Sequence, residues 1–235
     1  MMEQRLQSGL AALNLPVEGI PALVRYGDLL IETNKVMNLT AIRDEAGVAR
    51  LHMLDCAALL PCADLTGART LLDVGTGAGF PGLPLKILLP QLDVTLLDSL
   101  NKRVDWLNEV SAQLGLTGVR AIQGRAEEKA LEKYMRDSFD LVTARAVADL
   151  RLLSELCLPF VKVGGRFLSM KSVDSDQELD QAAHAIKLLG GRVRDVKDYA
   201  IPGADVTHRL VIVEKVAPTL KGYPRRWAKI QKAPL

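Results

Sequence analysis

A glycine cluster with an acid at its head and a second acid further along is the stretch of this chain best suited to bind a small molecule. Asp73-Val74-Gly75-Thr76-Gly77-Ala78-Gly79-Phe80 closes an apolar run, Thr70 to Val74. Glycines there let the backbone turn sharply and come close to a ligand. The dinucleotide fingerprint is GxGxxG after a strand. Here Gly75, Gly77 and Gly79 are spaced GxGxG, and Phe80 stands where the third fingerprint glycine would be. The P-loop pattern GxxxxGK[ST] is absent. The next segment begins Pro81, Gly82, Pro84, a poorer pyrophosphate cradle than a run of free N–H groups. An adenosyl ligand without phosphates suits such a loop, and S-adenosylmethionine (SAM) is that ligand. Asp98 ends a second apolar run, Val94 to Asp98, 23 residues beyond Gly75. An acid so placed accepts hydrogen bonds from two ribose hydroxyls. A NAD site would use the same acid, and capping the next helix beside Ser99 is the plainer role.

Three further stretches lie where such a ligand crevice would open. Gly124-Arg125-Ala126-Glu127-Glu128 follows a third apolar run. Ala126 and Glu127 either read an adenine edge or start a helix whose dipole favours acids. Arg145, in Thr143-Ala144-Arg145-Ala146 after a fourth run, either holds a carboxylate, a phosphate or a guanine edge, or is an ion-paired surface group. His52 and Asp55 lie one helical turn apart. They either line the substrate side or tie the N-terminal helices to the sheet, and the structural role is favoured. Lys171 is a phosphate contact or a solvated residue. Cys56, Cys62 and Cys157 make no CxxC pair, which argues against a zinc site or a disulfide scaffold and fits a reducing cytoplasm. They read as small core hydrophobes, and no metal site is expected.

The elements that must position these residues follow from periodicity. Residues 1–60 read as helical, with Pro21 and Gly27 as interruptions and a second amphipathic stretch over 45–60. From about residue 70, short apolar runs alternate with periodic segments. Strands are expected at 70–74, 94–98, 119–122, 139–144, 166–170, 192–200 and 209–216. Helices are expected at 99–114 with Ser99 as N-cap, at 149–162 ending on Gly164-Gly165, and at 175–189. Such alternation implies right-handed βαβ units and a mainly parallel sheet. The short connection around Pro202-Gly203 suggests an antiparallel pair at one edge. The reading is an α/β fold of the class I SAM-dependent methyltransferase (Rossmann-like) type, with seven strands and one antiparallel edge strand. It divides into a helical extension over 1–65, a SAM-binding core over 66–216 and a basic tail over 217–235.

Composition supports this. The chain has 235 residues, 49% hydrophobic and 25% charged, with a formal charge of +2, the balance of a globular protein. No apolar run is long enough to span a membrane, and the start lacks a secretory pattern. Charge is uneven, because residues 215–235 carry six Lys/Arg and no acid. With three prolines, Tyr223 and Trp227, this tail is expected to be non-helical. It is either a solvated solubilising tail or an electrostatic arm along a phosphate backbone. Lys102, Arg103, Arg225 and Arg226 are the other candidate contacts for such a backbone, with His52 and Lys171.

Together the motifs resemble one family closely, the 16S ribosomal RNA guanine-N7 methyltransferases of the RsmG (GidB) type. The matching residues are NLT (38–40), His52-x-x-Asp55, DVGTGAGFPG (73–82), LLDSLNKR (96–103), GRAEE (124–128), ARAVA (144–148), HRLVIVEK (208–215) and YPRR (223–226). Cys56 and Ser172 depart from the family's usual Ser and Gly. The resemblance implies that Gly75, Phe80, Ala126, Glu127 and Arg145 fall on SAM-binding positions. It implies methyl transfer from SAM, with S-adenosylhomocysteine as product, to guanine N7 in the 530-loop region of 16S rRNA. The expected partner is that rRNA or the small ribosomal subunit, with no obligate protein partner. Guanine N7 carries a free lone pair, so no general base is expected and Arg145 positions the substrate. The competing readings are a methyltransferase with a small-molecule or protein acceptor, an NAD-dependent oxidoreductase, and a non-catalytic RNA-binding protein.

Overall fold

The computed structural model describes residues 1–145 and 148–235. Ala146 and Val147, which complete the stretch after the fourth strand, lie outside the described residues.

Seven strands form one sheet: β1 (Thr70–Val74), β2 (Asp93–Asp98), β3 (Val119–Gln123), β4 (Phe139–Arg145), β5 (Val161–Ser172), β6 (Gly191–Ala200) and β7 (Thr207–Lys215). Their order is β3-β2-β1-β4-β5-β7-β6. The first five pair in parallel, and β7 runs antiparallel between β5 and the edge strand β6. The order reverses between β1 and β4. A ligand crevice lies outside the strand C-termini at such a switch point.

Alternation along the strands feeds two cores. Leu71, Leu96, Leu141 and Leu168 face one side, and Leu72, Leu97, Val142 and Phe167 the other. The first face is covered by α1 (Met2–Ala12), α2 (Ile20–Met37), a π-helical stretch Val48–Leu54 that the short α3 (Glu45–Gly47) leads into, α4 (Asp55–Ala57), α5 (Leu59–Cys62), α6 (Gly82–Leu88) and α7 (Asn101–Gln113). The second face carries α8 (Ala126–Lys129), α9 (Leu150–Cys157), α10 (Asp176–Leu188) and α11 (Trp227–Lys232). Among the described residues no helix is long and apolar enough to cross a membrane. None of them form a group of three or more His, Cys, Asp or Glu able to hold a metal.

Four local expectations are corrected. Pro21 and Gly27 do not interrupt α2. Pro21 sits in its first turn, where the missing N–H costs nothing, and a Cβ on Gly27 would collide with the Met2 sulfur. That glycine is where α1 closes on α2. Ser99 does not cap α7, which starts at Asn101 after Leu100, and Asp98 Oδ1 takes the Leu100 N–H at 2.9 Å instead. Gly164 and Gly165 lie inside β5, which already begins at Val161 after a 3-10 turn over Leu158–Phe160. The register with β4 shifts there, and a Cβ on Gly165 would meet the Asp140 carbonyl oxygen at 2.7 Å, the close approach that suits glycine at a bulge. The C-terminal segment is neither non-helical nor a free tail. It contains α11, whose Ile230 is fully buried in the second core.

Candidate functional site

The loop after β1 is shaped by its glycines and by Asp73. Gly75, Gly77 and Gly79 have φ of +67°, +59° and +93°, a region L side chains rarely enter. A Cβ on Gly77 would find only the Gly75 carbonyl oxygen, at 4.0 Å, so the space above the loop is open. Asp73 is fully buried behind it. Its carboxylate accepts from Thr143 Oγ1 at 3.0 Å, Thr76 Oγ1 at 2.6 Å and the Gly82 N–H at 3.0 Å. Burial raises its pKa despite those donors. Asp73, expected among the cofactor-binding residues, therefore joins β1 to the loop, α6 and β4 from inside.

Asp98 sits at the mouth. It is 3% exposed at the end of β2, and Oδ2 accepts the Gly77 N–H at 2.9 Å. Arg103 Nη1 lies 3.5 Å from the same oxygen. A carboxylate has about four acceptor sites, so the Gly77 and Leu100 N–H groups and Arg103 leave one for a diol, and a second once Arg103 gives way. Gly75, Leu97, Asp98, Ala126, Glu127 and Trp227 are among the residues lining one cleft here, of about 150 Å³. Glu127 is buried, and its Oε1 accepts from Arg125 Nε at 2.6 Å.

Phe80 and Arg145 turn the other way. The Phe80 ring stacks on His52 with centroids 4.5 Å apart, and the Arg145 guanidinium lies 5.0 Å from its centre. The Tyr26 hydroxyl donates to the Ala78 carbonyl on the inner side of the loop. Arg145, at the end of β4, donates from Nη1 to Asp55 Oδ2 at 3.0 Å and to the Leu51 carbonyl at 3.2 Å. Its Nη2 lies 3.1 Å from His52 Nδ1. Asp55 is fully buried, and Oδ1 accepts from the Tyr199 hydroxyl at 2.9 Å and His208 Nδ1 at 2.8 Å.

Burial, then the Arg145 charge, lowers the His52 pKa to about 4. The ring is therefore neutral near pH 7. Its Nδ1 lies 3.1 Å from both Arg145 Nη2 and the Leu51 carbonyl oxygen, and its Nε2 lies 2.7 Å from Thr40 Oγ1. The bond to Asp55 raises the pKa of His208. His52 and Asp55 thus lie at the β4 end and hold Arg145.

The chain also matches known proteins. Residues 19–206 match the family described as rRNA small subunit methyltransferase G. The chain belongs to the rRNA small subunit methyltransferase G family. Relatives bearing that name include one from Clostridium perfringens, 45% identical over 89% of this chain and 88% of the relative. Another from Exiguobacterium sibiricum is 44% identical over the whole of both chains. Among solved structures, TrmN from Thermus thermophilus superposes with a TM-score of 0.53 at 24% identity, covering 68% of this chain and 48% of that one. A mutant of MtNAS in complex with SAM gives 0.54 at 16% identity, over 84% and 73%. These two share the fold.

SAM is the cofactor of this methyltransferase, and the residues at the cleft fit it. The open cradle over Gly77 and the Asp98 carboxylate beside it offer a diol acceptor and close backbone approach.

The remaining basic candidates of the chain separate by partner. Lys102 and Arg226 are exposed. Lys171 is bound to Glu178 at 2.5 Å and to the Ala148 carbonyl at 2.9 Å, so it is not a solvated residue. Arg225 is bound to fully buried Glu155 from its backbone N–H, Nε and Nη2. His52 is 8% exposed and offers no RNA contact in this arrangement. Cys56 and Cys157 are core, whereas Cys62 is only half-buried. Tyr199, His208 and Trp227 were missed as site residues. Tyr199 and His208 come from β6 and β7, far along the chain from Asp55, and no local pattern joins them. The one available signal was Trp227, an aromatic within a basic segment.

Proposed function

We propose that this protein transfers the methyl group of SAM to N7 of a guanine in 16S rRNA, in the 530-loop region to which the family resemblance points. The observation that carries the N7 reading is His52 beside Arg145, neutral and engaged at both nitrogens. Among the described residues no side chain beside Arg145 is poised to take a proton near pH 7, and guanine N7 gives none up. SAM supplies a methyl group on a positively charged sulfur, open to in-line attack by that lone pair.

The chain's contribution is orientation, a source of roughly 7–11 kcal/mol. Asp98 would hold the ribose hydroxyls, with the Gly75–Gly79 backbone beneath. Gly75, Gly77, Ala126 and Glu127 are proposed as cofactor contacts, and Gly79 and Phe80 as supports from the inner side of the loop. Arg145 orients the acceptor through O6 or a phosphate. An arginine on N7 itself would occupy the lone pair that must react. Asp55, 3.0 Å from Arg145, offsets that positive charge as the purine gains its own. Lys102 and Arg226 are proposed to meet RNA phosphates, and an unpaired loop fits because A-form major grooves exclude side chains.

The test uses methyl-labelled SAM with rRNA and small subunits from cells lacking this protein. The RNA is digested and the labelled nucleoside identified by mass spectrometry. Label in 7-methylguanosine from one 16S fragment is expected. Label in another nucleoside, or in a protein, overturns the reading.

A further inference from the structure

The last nineteen residues are built into the fold, and they bring an aromatic ring to the cofactor cleft. Lys215 Nζ, fully buried, donates to Asp137, the Leu158 carbonyl and Thr219 Oγ1 at 2.6–2.7 Å. Arg136 donates to the carbonyls of Thr219, Leu220 and Tyr223 at 2.7–3.1 Å. Arg225 grips Glu155 on α9, and Ile230 fills the second core. A buried ion pair such as Arg225–Glu155 adds little net stability against desolvation, but it fixes the segment's position. What the anchors hold in place is Trp227. Its indole lines the same cleft as Gly75, Asp98 and Glu127, and the Arg125 guanidinium lies 5.4 Å from its centre. Arg125 is itself held by Glu127 at 2.6 Å. An indole half-exposed into a cleft is a large, flat surface with few rotamers to lose, well suited to an aromatic base.

We infer that Trp227 is a wall of the adenosyl site, so that cofactor affinity depends on the C-terminal segment. This rests on the cleft being the SAM site. The ligand class is an adenine nucleoside, and the contact is apolar and aromatic. Trp227 touches the bound adenosyl group, whereas Arg225 and Ile230 act only by placing it.

The test is calorimetric titration of S-adenosylhomocysteine into the full-length protein and its Trp227→Ala and Trp227→Phe variants, after thermal melts show each is folded. Trp227→Ala is expected to weaken binding about tenfold or more, and Trp227→Phe to restore most of the loss. A second readout is tryptophan fluorescence. The other tryptophan, Trp106, is buried on α7. Ligand should change the emission of the unaltered protein and leave that of Trp227→Phe unchanged. Binding by Trp227→Ala within twofold of the parent, or a fluorescence change that survives in Trp227→Phe, overturns the inference. Failure of the parent itself to bind, or parent binding that survives Asp98→Ala, overturns the cleft as the cofactor site instead.

Discussion

The two halves of the crevice use their polar groups in opposite ways. On the β1–β3 side, Asp98 takes the Gly77 and Leu100 N–H groups and a long 3.5 Å bond from Arg103, but it stands at a cleft and the Gly77 cradle beside it is open. On the β4 side, Asp55 takes Tyr199, His208 and Arg145 together, and His52 is engaged at both nitrogens. The first half keeps capacity for a ligand. The second spends its capacity on holding one arginine still. A site that must bind a detachable cofactor and aim a large RNA needs both, an open acceptor and a fixed pointer.

The sharpest way to break this contrast is Asp55→Ala. It leaves the Arg145 cation, largely buried, without its carboxylate, a loss that typically costs about 3–5 kcal/mol. We expect thermal stability to drop by about 10 °C for a domain of this size, with S-adenosylhomocysteine affinity little changed in the folded fraction. A variant that melts like the parent would show that Arg145 is held by other means.

Acid tests the same half next. The His52 pKa is near 4 when folded and about 6.5 when unfolded. The unfolded state therefore binds the extra proton first, and stability is lost as pH falls from about 6.5 towards 4, by up to about 3 kcal/mol. His208 works in the opposite sense. Its folded pKa is raised, so its contribution is full below about 6.5 and fades as pH rises through the folded value. Urea midpoints from pH 8 to 4 should pass through a maximum between these limbs. The His52→Phe variant, which keeps an aromatic face against Phe80, should lose the steeper acid limb. If both proteins show the same limb, His52 is not its source.

The open half responds in affinity. Asp98→Ala removes the diol acceptor, and charged hydrogen bonds contribute about 1.5–3 kcal/mol each. We expect cofactor binding about a hundredfold weaker by calorimetry, with a smaller change in melting temperature than Asp55→Ala produces. The reverse pattern would merge the two halves into one structural unit.

The same contrast explains what the sequence disclosed. Gly75, Asp98, Ala126 and Glu127 lie at or just past strand ends that alternation reveals, so their shared cleft was legible from local pattern. The seven strands were legible for the same reason, and the antiparallel setting of β7 from the short connection around Pro202-Gly203. The partners of Asp55 were not. Tyr199 and His208 lie about 150 residues away, and a hydrogen bond across that distance leaves no periodic trace. Asp73 was misplaced because an acid before a glycine loop reads alike whether it faces the ligand or the inside. The C-terminal segment misled because its composition is that of a solvated chain, whereas Ile230, Arg225 and Lys215 find buried partners that only the fold supplies.

Two neighbouring arginines give the smallest and most discriminating test. Composition makes Arg225 and Arg226 equivalent basic residues and equal candidates for contact with RNA. Their surroundings separate them. Arg225 is 13% exposed and bound to Glu155, whereas Arg226 is exposed at the start of α11. Arg225→Ala strands the buried Glu155 carboxylate and loosens the segment that carries Trp227, so it should lower stability and cofactor affinity together. Arg226→Ala should leave both unchanged. Its RNA binding should weaken modestly, with the slope of log affinity against log salt flattened by just under one, the share of a single phosphate contact. Equal salt slopes for the two variants would mean that Arg225 leaves Glu155 for RNA, and that the segment is released on substrate binding rather than held as a wall.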